Sequence, residues 1–300
     1  MRLAFKPADL LSLAFMALMG ALAVCFAPVI PTWKGLLALY GVLAALTTAL
    51  AIYRKRAPER KLGFYLSVGL TVVTILLVFN SMGAIIAGLR HRSYDGILIA
   101  IDQFLFGVNP TVWTEKLIHP VLTAVLQFAY ISYYFIPISL GIVLIARNKH
   151  EEFEKALFGI VLCFYLSYLG YLLVPATGPR FTLMALQTED LHATPFIKSI
   201  QDLLNGMEQN KTDAFPSGHT AIALMCLYYA DKYGERKLFG ILLPVVLALV
   251  FSTVYLRYHY VIDVIAGFVL TAVTIGAAPG LRTALSRASG EPGNQCHCRP

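Results

Sequence analysis

The sequence predicts an all-α fold: a polytopic membrane helical bundle of about eight transmembrane helices, with short amphipathic helices at the membrane interface. Three observations predict it. Of the 300 residues, 58% are hydrophobic and only 14% charged, with a mean hydropathy of +0.68, too little polar surface to cover a soluble core of this size. The apolar residues come in runs that match a hydrocarbon layer about 30 Å thick, which takes roughly 20 residues per helical crossing. The basic residues gather in short clusters between those runs, as the positive-inside rule requires of cytoplasmic loops.

The first run, Leu10 to Ile30, follows a short basic segment but is long enough to cross and precedes many others, so it reads as a membrane helix and not a leader. Spans are expected at about 10–30, 35–53 and 62–87, then 121–146, 156–174, 215–231, 238–256 and 259–279. Residues 93–118 mix polar and apolar positions at helical spacing, through Asp95, Asp102, Gln103 and Trp113. They are expected to lie at the interface as short amphipathic helices, turning at Gly107, Asn109 and Pro110. Residues 1–90 are thus expected to form three N-terminal helices, 91–280 a second membrane domain that holds the polar segments described below, and 281–300 a polar cytoplasmic tail.

Charge placement orients the chain. With the N-terminus inside, the clusters at 54–61, 147–155, 232–237 and beyond 280 fall inside, about two-thirds of the 24 basic residues. Both termini are then cytoplasmic, and the short loops point to a bacterial inner membrane. The net charge of +7 forms no single patch, which argues against a nucleic-acid partner. Of the five cysteines, Cys25, Cys163 and Cys226 sit in apolar runs as small hydrophobes. Cys296 and Cys298 flank His297 in the tail, without a fourth ligand for a metal.

Three polar segments fall at one membrane face in this topology. They are Pro175 to Arg180, Asp213 to Thr220, and Ser252 to Asp263. His259 and Asp263 are four apart, on one face of a helix that starts near Tyr258. A carboxylate there fixes the imidazole tautomer and leaves the other ring nitrogen free to attack. His219 follows Ser217 and Gly218 at a helix start, where unpaired N–H groups and the helix dipole favour an anion. Gly218 allows close backbone approach. Arg180 and Arg257 supply forked donors for phosphate oxygens. Asp213 either caps the following helix or joins the site. Together these groups describe a phosphate-ester site without a metal or cofactor. A transporter is the reading from another class, but the charged residues lie at span ends and no repeat is visible.

The Pro216-Ser217-Gly218-His219 segment and the run from Ser252 to Asp263 resemble the second and third signatures of the type 2 phosphatidic acid phosphatase superfamily. The resemblance implies that His259 is a nucleophile forming a phosphohistidine, oriented by Asp263. It implies that His219 protonates the leaving group while Arg180, Ser217 and Gly218 hold the phosphoryl oxygens. The chain departs from the phosphatases at two places: Thr253 stands where they carry an Arg, and Leu173 where they carry a Lys. Arg257, one helical turn after Thr253, is expected to supply the missing guanidinium.

Asp213 ahead of Ser217-Gly218-His219-Thr220, and His259-Tyr260 followed by Asp263-Val264, are similar to the sphingolipid synthases. Tyr94-Asp95, Asp102, Phe106-Gly107, Pro110, Tyr130 and Tyr133-Tyr134 resemble the inositolphosphotransferase family linked to aureobasidin resistance. These likenesses imply transfer of a phospho-headgroup from a phospholipid or lipid phosphate donor. The acceptor is a lipid alcohol, or water if the protein is instead a lipid phosphate or prenyl diphosphate phosphatase.

Overall fold

The computed structural model describes residues 5–89, 92–191, 194–207 and 211–289. Among them there are helices and no strand. Helices α1 (Pro7–Cys25), α2 (Trp33–Arg56) and α3 (Lys61–Leu89) are long and apolar enough to cross a membrane. After them come α4 (Asp95–Phe106), α5 (Pro110–Trp113), α6 (Pro120–Ile131) and α7 (Ile136–Ala146). Then follow α8 (His150–Leu173), α9 (Pro179–Thr182), α10 (Pro195–Met207), α11 (Gly218–Lys232), α12 (Arg236–Tyr255) and α13 (Val261–Ser289). Of these, α8, α12 and α13 also meet the crossing criterion, giving six spans, or up to eight if α4 with α5 and α6 with α7 each make one broken span. The chain is an all-α polytopic bundle and an integral membrane protein.

Three expectations are corrected. The run 121–146 is not one helix: α6 and α7 meet at a bend of 51° across a 3-10 turn at Ser132–Tyr134. Pro137, at the start of α7, has no N–H to donate and its ring excludes the carbonyl one turn back, so α6 cannot continue through it. Residues 95–117 form the short helices expected there, α4 and α5, bent by 66° to each other and together apolar enough for a broken span or a re-entrant loop. The turn is where the sequence puts it: Gly107, at φ 70°, closes α4 and Pro110 opens α5. The span expected at 215–231 is α11, with only 15 residues. At 1.5 Å per residue it covers about 22 Å, short of the hydrocarbon thickness. Finally, α13 runs through Pro279 to Ser289 where a loose tail was expected. Residues 290–300, with Cys296, His297 and Cys298, lie outside the described part.

Two cores share α8. One face of α8, through Val161, Tyr165, Tyr168 and Tyr171, packs into the apolar interior of α1, α2 and α3. The other, through Ala156, Ile160 and Cys163, packs with α7, α11 and α12. Tyr165 donates to Ser12 Oγ at 2.9 Å and Tyr168 to the Ile75 carbonyl at 3.1 Å, so the polar tips of these rings are satisfied inside the bundle. The outward faces stay apolar: Val72, Val73, Leu76 and Leu77 of α3 are exposed, which in lipid needs no cover.

At the end of the bundle away from the polar segments that precede α11 and α13, Glu235 is buried and holds the α11–α12 turn to the α7–α8 turn. Lys149 Nζ lies 2.6 Å from its carboxylate and 2.6 Å from the Tyr233 carbonyl. Lys149→Met strands that carboxylate, leaving Arg147 at 3.9 Å as its remaining ion-pair partner among the described residues. The expected cost is about 1–3 kcal/mol of stability, read as a lower melting temperature in detergent with the activity per folded molecule unchanged.

Candidate active site

The three polar segments converge. Ala214 N–H donates to the Ala176 carbonyl at 3.1 Å, so residues 176 and 213 form an isolated parallel bridge. Ser217 N–H donates to the Asp263 carbonyl at 3.0 Å. Gly178, at φ 88°, brings its backbone onto the Tyr258 carbonyl, and a Cβ there would lie 2.6 Å from that oxygen. Gly178→Ala is therefore both strained and blocked by backbone. It is expected to lower kcat by about tenfold or more by displacing Arg180 from its place beside Tyr258, and a steady-state assay of the folded variant measures it.

His259 is buried, and its Nδ1 lies 2.8 Å from the Ala214 carbonyl. A carbonyl only accepts, so Nδ1 carries the proton and the neutral ring keeps its lone pair on Nε2. The sequence assigns tautomer control to Asp263. In the structure Asp263 Oδ2 is 3.5 Å from Nδ1, beyond a good hydrogen bond, and accepts instead from Tyr260 N–H at 2.8 Å. Asp263 is thus a charge partner for the ring and a cap for α13, while Ala214 holds the ring.

His219 sits one residue inside α11, its ring centroid 5.8 Å from that of His259. Tyr130 stacks on it at 4.5 Å and Tyr133 leans on it at 4.2 Å. Its Nε2 is buried, with no hydrogen-bond partner among the described residues. Arg180 places its guanidinium 4.8 Å over the ring of Tyr258, whose ring stacks on Tyr130 at 4.3 Å. A column of rings therefore links Arg180 to His219.

The remaining expected residues take up positions as follows. Ser217 caps α11: its Oγ accepts from Thr220 N–H at 3.3 Å and donates to Thr220 Oγ1 at 3.0 Å. That leaves Asp213 out of the cap. Asp213 lies on the bridge to Ala176, where burial raises its carboxyl pKa while His259 and Arg180 pull it back down. Gly218 faces the Tyr171 hydroxyl, which fills the space that a side chain would need. At this helix start the first N–H groups have no intrahelical carbonyl. Arg257 is the correction. At φ 66° it turns to Glu115 at 2.9 Å and Gln187 at 3.3 Å, and also donates to the Glu189 carbonyl. Glu115 also takes Thr188, so Arg257 fastens the 187–189 strap to the 3-10 turn at Thr114–Leu117 that follows α5.

Against this geometry, the chain matches the PAP2 superfamily over residues 97–277. It belongs to the PAP2 superfamily. It is also 25% identical over 245 residues to a PA-phosphatase related-family protein of Dictyostelium discoideum, an alignment covering 69% of this chain and 43% of that protein. The chain thus matches less than half the length of that relative. No solved structure matches it. The matched stretch begins in α4 and ends in α13, so α1 to α3 fall outside it.

Within this PAP2 member the sequence reading missed what the two α4 carboxylates do. Asp95 and Asp102 read as the polar face of an interfacial helix, yet both are buried. Asp102 accepts from Val261 and Ile262 N–H, each at 2.9 Å, and caps α13 from another helix. Asp95 accepts from Thr177 and Gly178 N–H and from the Tyr260 hydroxyl, each at 2.8 Å. Burial raises the Tyr260 pKa, so this hydroxyl stays a donor. The available signal was two carboxylates seven residues apart, on one face of a helix that is otherwise nearly all apolar. Among the described residues no three His, Cys, Asp or Glu side chains group as a metal site would need.

Proposed function

We propose that this protein is a membrane lipid phosphotransferase that moves a phospho-headgroup through a phosphohistidine. The observation that carries the reading is the His259–His219 pair, with Nδ1 of His259 bound to a carbonyl and the rings 5.8 Å apart. His259 Nε2 attacks the donor phosphorus, forming a P–N bond as the P–O bond to the leaving group breaks. His219 delivers its proton to the departing oxygen. An acceptor hydroxyl then gives its proton to His219 and attacks the phosphorus, breaking the P–N bond and restoring both rings. Arg180 and the N–H groups at the start of α11 offset the charge on the phosphoryl oxygens. The steps use only imidazole and guanidinium groups and call for no metal.

A lipid alcohol as acceptor is supported by the likeness of Asp213, Tyr260 and the Tyr94–Pro110 stretch to headgroup transferases. Water as acceptor, giving a lipid phosphate phosphatase, is favoured by the name of the Dictyostelium relative. Charge placement favours cytoplasmic termini and a site on the extracytoplasmic face, and the short loops favour a bacterial inner membrane. The deciding experiment supplies headgroup-labelled phospholipid and labelled lipid phosphate to the purified protein, with and without a second lipid alcohol. Label appearing on the second lipid is the expected result. Label leaving only as free phosphate overturns transfer in favour of hydrolysis.

A further inference from the structure

We infer that Asp95 is the positioning residue that sets the spacing between the arginine loop and the nucleophile's turn, with Tyr260 as its strut. The inference rests on His259 being the nucleophile and Arg180 a phosphate ligand.

One buried carboxylate holds both segments. Its Oδ2 takes the Thr177 N–H at 2.8 Å and the Thr177 hydroxyl at 3.0 Å, and also accepts from Ser93. Its Oδ1 takes Gly178 N–H and the Tyr260 hydroxyl, each at 2.8 Å. A carboxylate has about four lone-pair sites, so this one is saturated and its geometry is over-determined. Thr177 and Gly178 lead directly into Pro179 and Arg180, while Tyr260 directly follows His259. The Tyr94 N–H on the Pro175 carbonyl, at 2.9 Å, adds a backbone tie from the same helix start.

No covalent neighbour links these segments, which lie some eighty residues apart in sequence. Their relative position is fixed by Asp95, by the Gly178–Tyr258 contact, and by the bond between Thr182 and Tyr260 at 2.5 Å. Asp102 fixes a different relation, the start of α13, and its bonds do not touch the arginine loop. Arg180 and His259 must meet the same phosphorus from different sides. An error in their spacing is felt chiefly in the transition state, where the phosphoryl oxygens carry the most charge.

Two variants test this. Asp95→Asn keeps the size but turns a donor toward N–H groups that need acceptors; Tyr260→Phe removes one hydroxyl and leaves the loop's own bonds to Asp95 intact. Asp95→Asn is expected to lower kcat about 10- to 100-fold with KM changed less than about threefold, and Tyr260→Phe to lower kcat by about three- to tenfold. Inhibition by vanadate, which presents a five-coordinate phosphorus-like centre, is expected to weaken in step with kcat. The double variant should lose less than the product of the two single losses, because both break the Asp95–Tyr260 bond and Tyr260→Phe adds only the loss of the Thr182 bond.

A role in folding alone would lower the melting temperature and the yield but leave kcat and vanadate affinity per folded molecule unchanged. That outcome overturns the inference, as does full activity in both variants. His259→Ala, assayed alongside, separates the two readings. An inactive His259→Ala with unchanged Asp95→Asn and Tyr260→Phe removes only the positioning role. An active His259→Ala removes the nucleophile and this inference with it.

Discussion

His259→Ala is expected to abolish turnover, a loss of roughly four orders of magnitude or more. The ring is buried, bonded to Ala214 and within 3.5 Å of Asp263, so no neighbouring nucleophile takes its place without rebuilding the loop. The side chain is also small enough to remove without undoing the segment. Its backbone N–H remains on the Thr253 carbonyl at 3.0 Å, and Tyr260, Val261 and Ile262 stay tied to Asp263 and Asp102. Folding and detergent melting should thus be nearly unchanged while chemistry stops. Quenching the wild-type protein with label-bearing donor should leave label on the protein that survives alkali and is lost in acid, as a P–N bond requires. Retained turnover in His259→Ala would remove the nucleophile from the scheme.

His219→Gln should cost about 10²- to 10⁴-fold with lipid donors, whose alkoxide leaving groups need a proton. The loss should shrink with a nitrophenyl phosphate ester, whose leaving group departs unprotonated. With that ester the variant is expected to release one equivalent of nitrophenol in a burst and then stall, because the second step still needs a base to activate the acceptor. Stacking explains why glutamine is the fair substitute. Tyr130 and Tyr133 hold the ring by its faces at 4.5 Å and 4.2 Å, so a planar amide fits between them where alanine would leave a gap. Equal losses with both substrates would place His219 in binding and not in proton transfer.

Much of this site was legible because its chemistry is local. Pro216-Ser217-Gly218-His219 announces a capped helix start, and His259 with Asp263 announces one helix face. The structure brings those segments together, and its crossings at α1, α2, α3, α8, α12 and α13 follow the apolar runs. What escaped was non-local or lacked a side chain. The group that fixes the His259 tautomer is the carbonyl of Ala214, which any residue would supply. Arg257 has the donors for a phosphate but finds Glu115, 142 positions away. Asp95 and Asp102 looked solvated because their partners are backbone N–H groups in segments that only the fold delivers. The break between α6 and α7 was visible in principle at Pro137, but the apolar run around it hid the interruption.

The double allegiance of α8 has a consequence for how the bilayer bears on this protein. Its tyrosines are anchored among the first three helices, and the last of them, Tyr171, props the helix start that carries His219. A lateral squeeze that shifts the N-terminal trio is therefore handed on, through one rigid rod, to the spot where His219 stands.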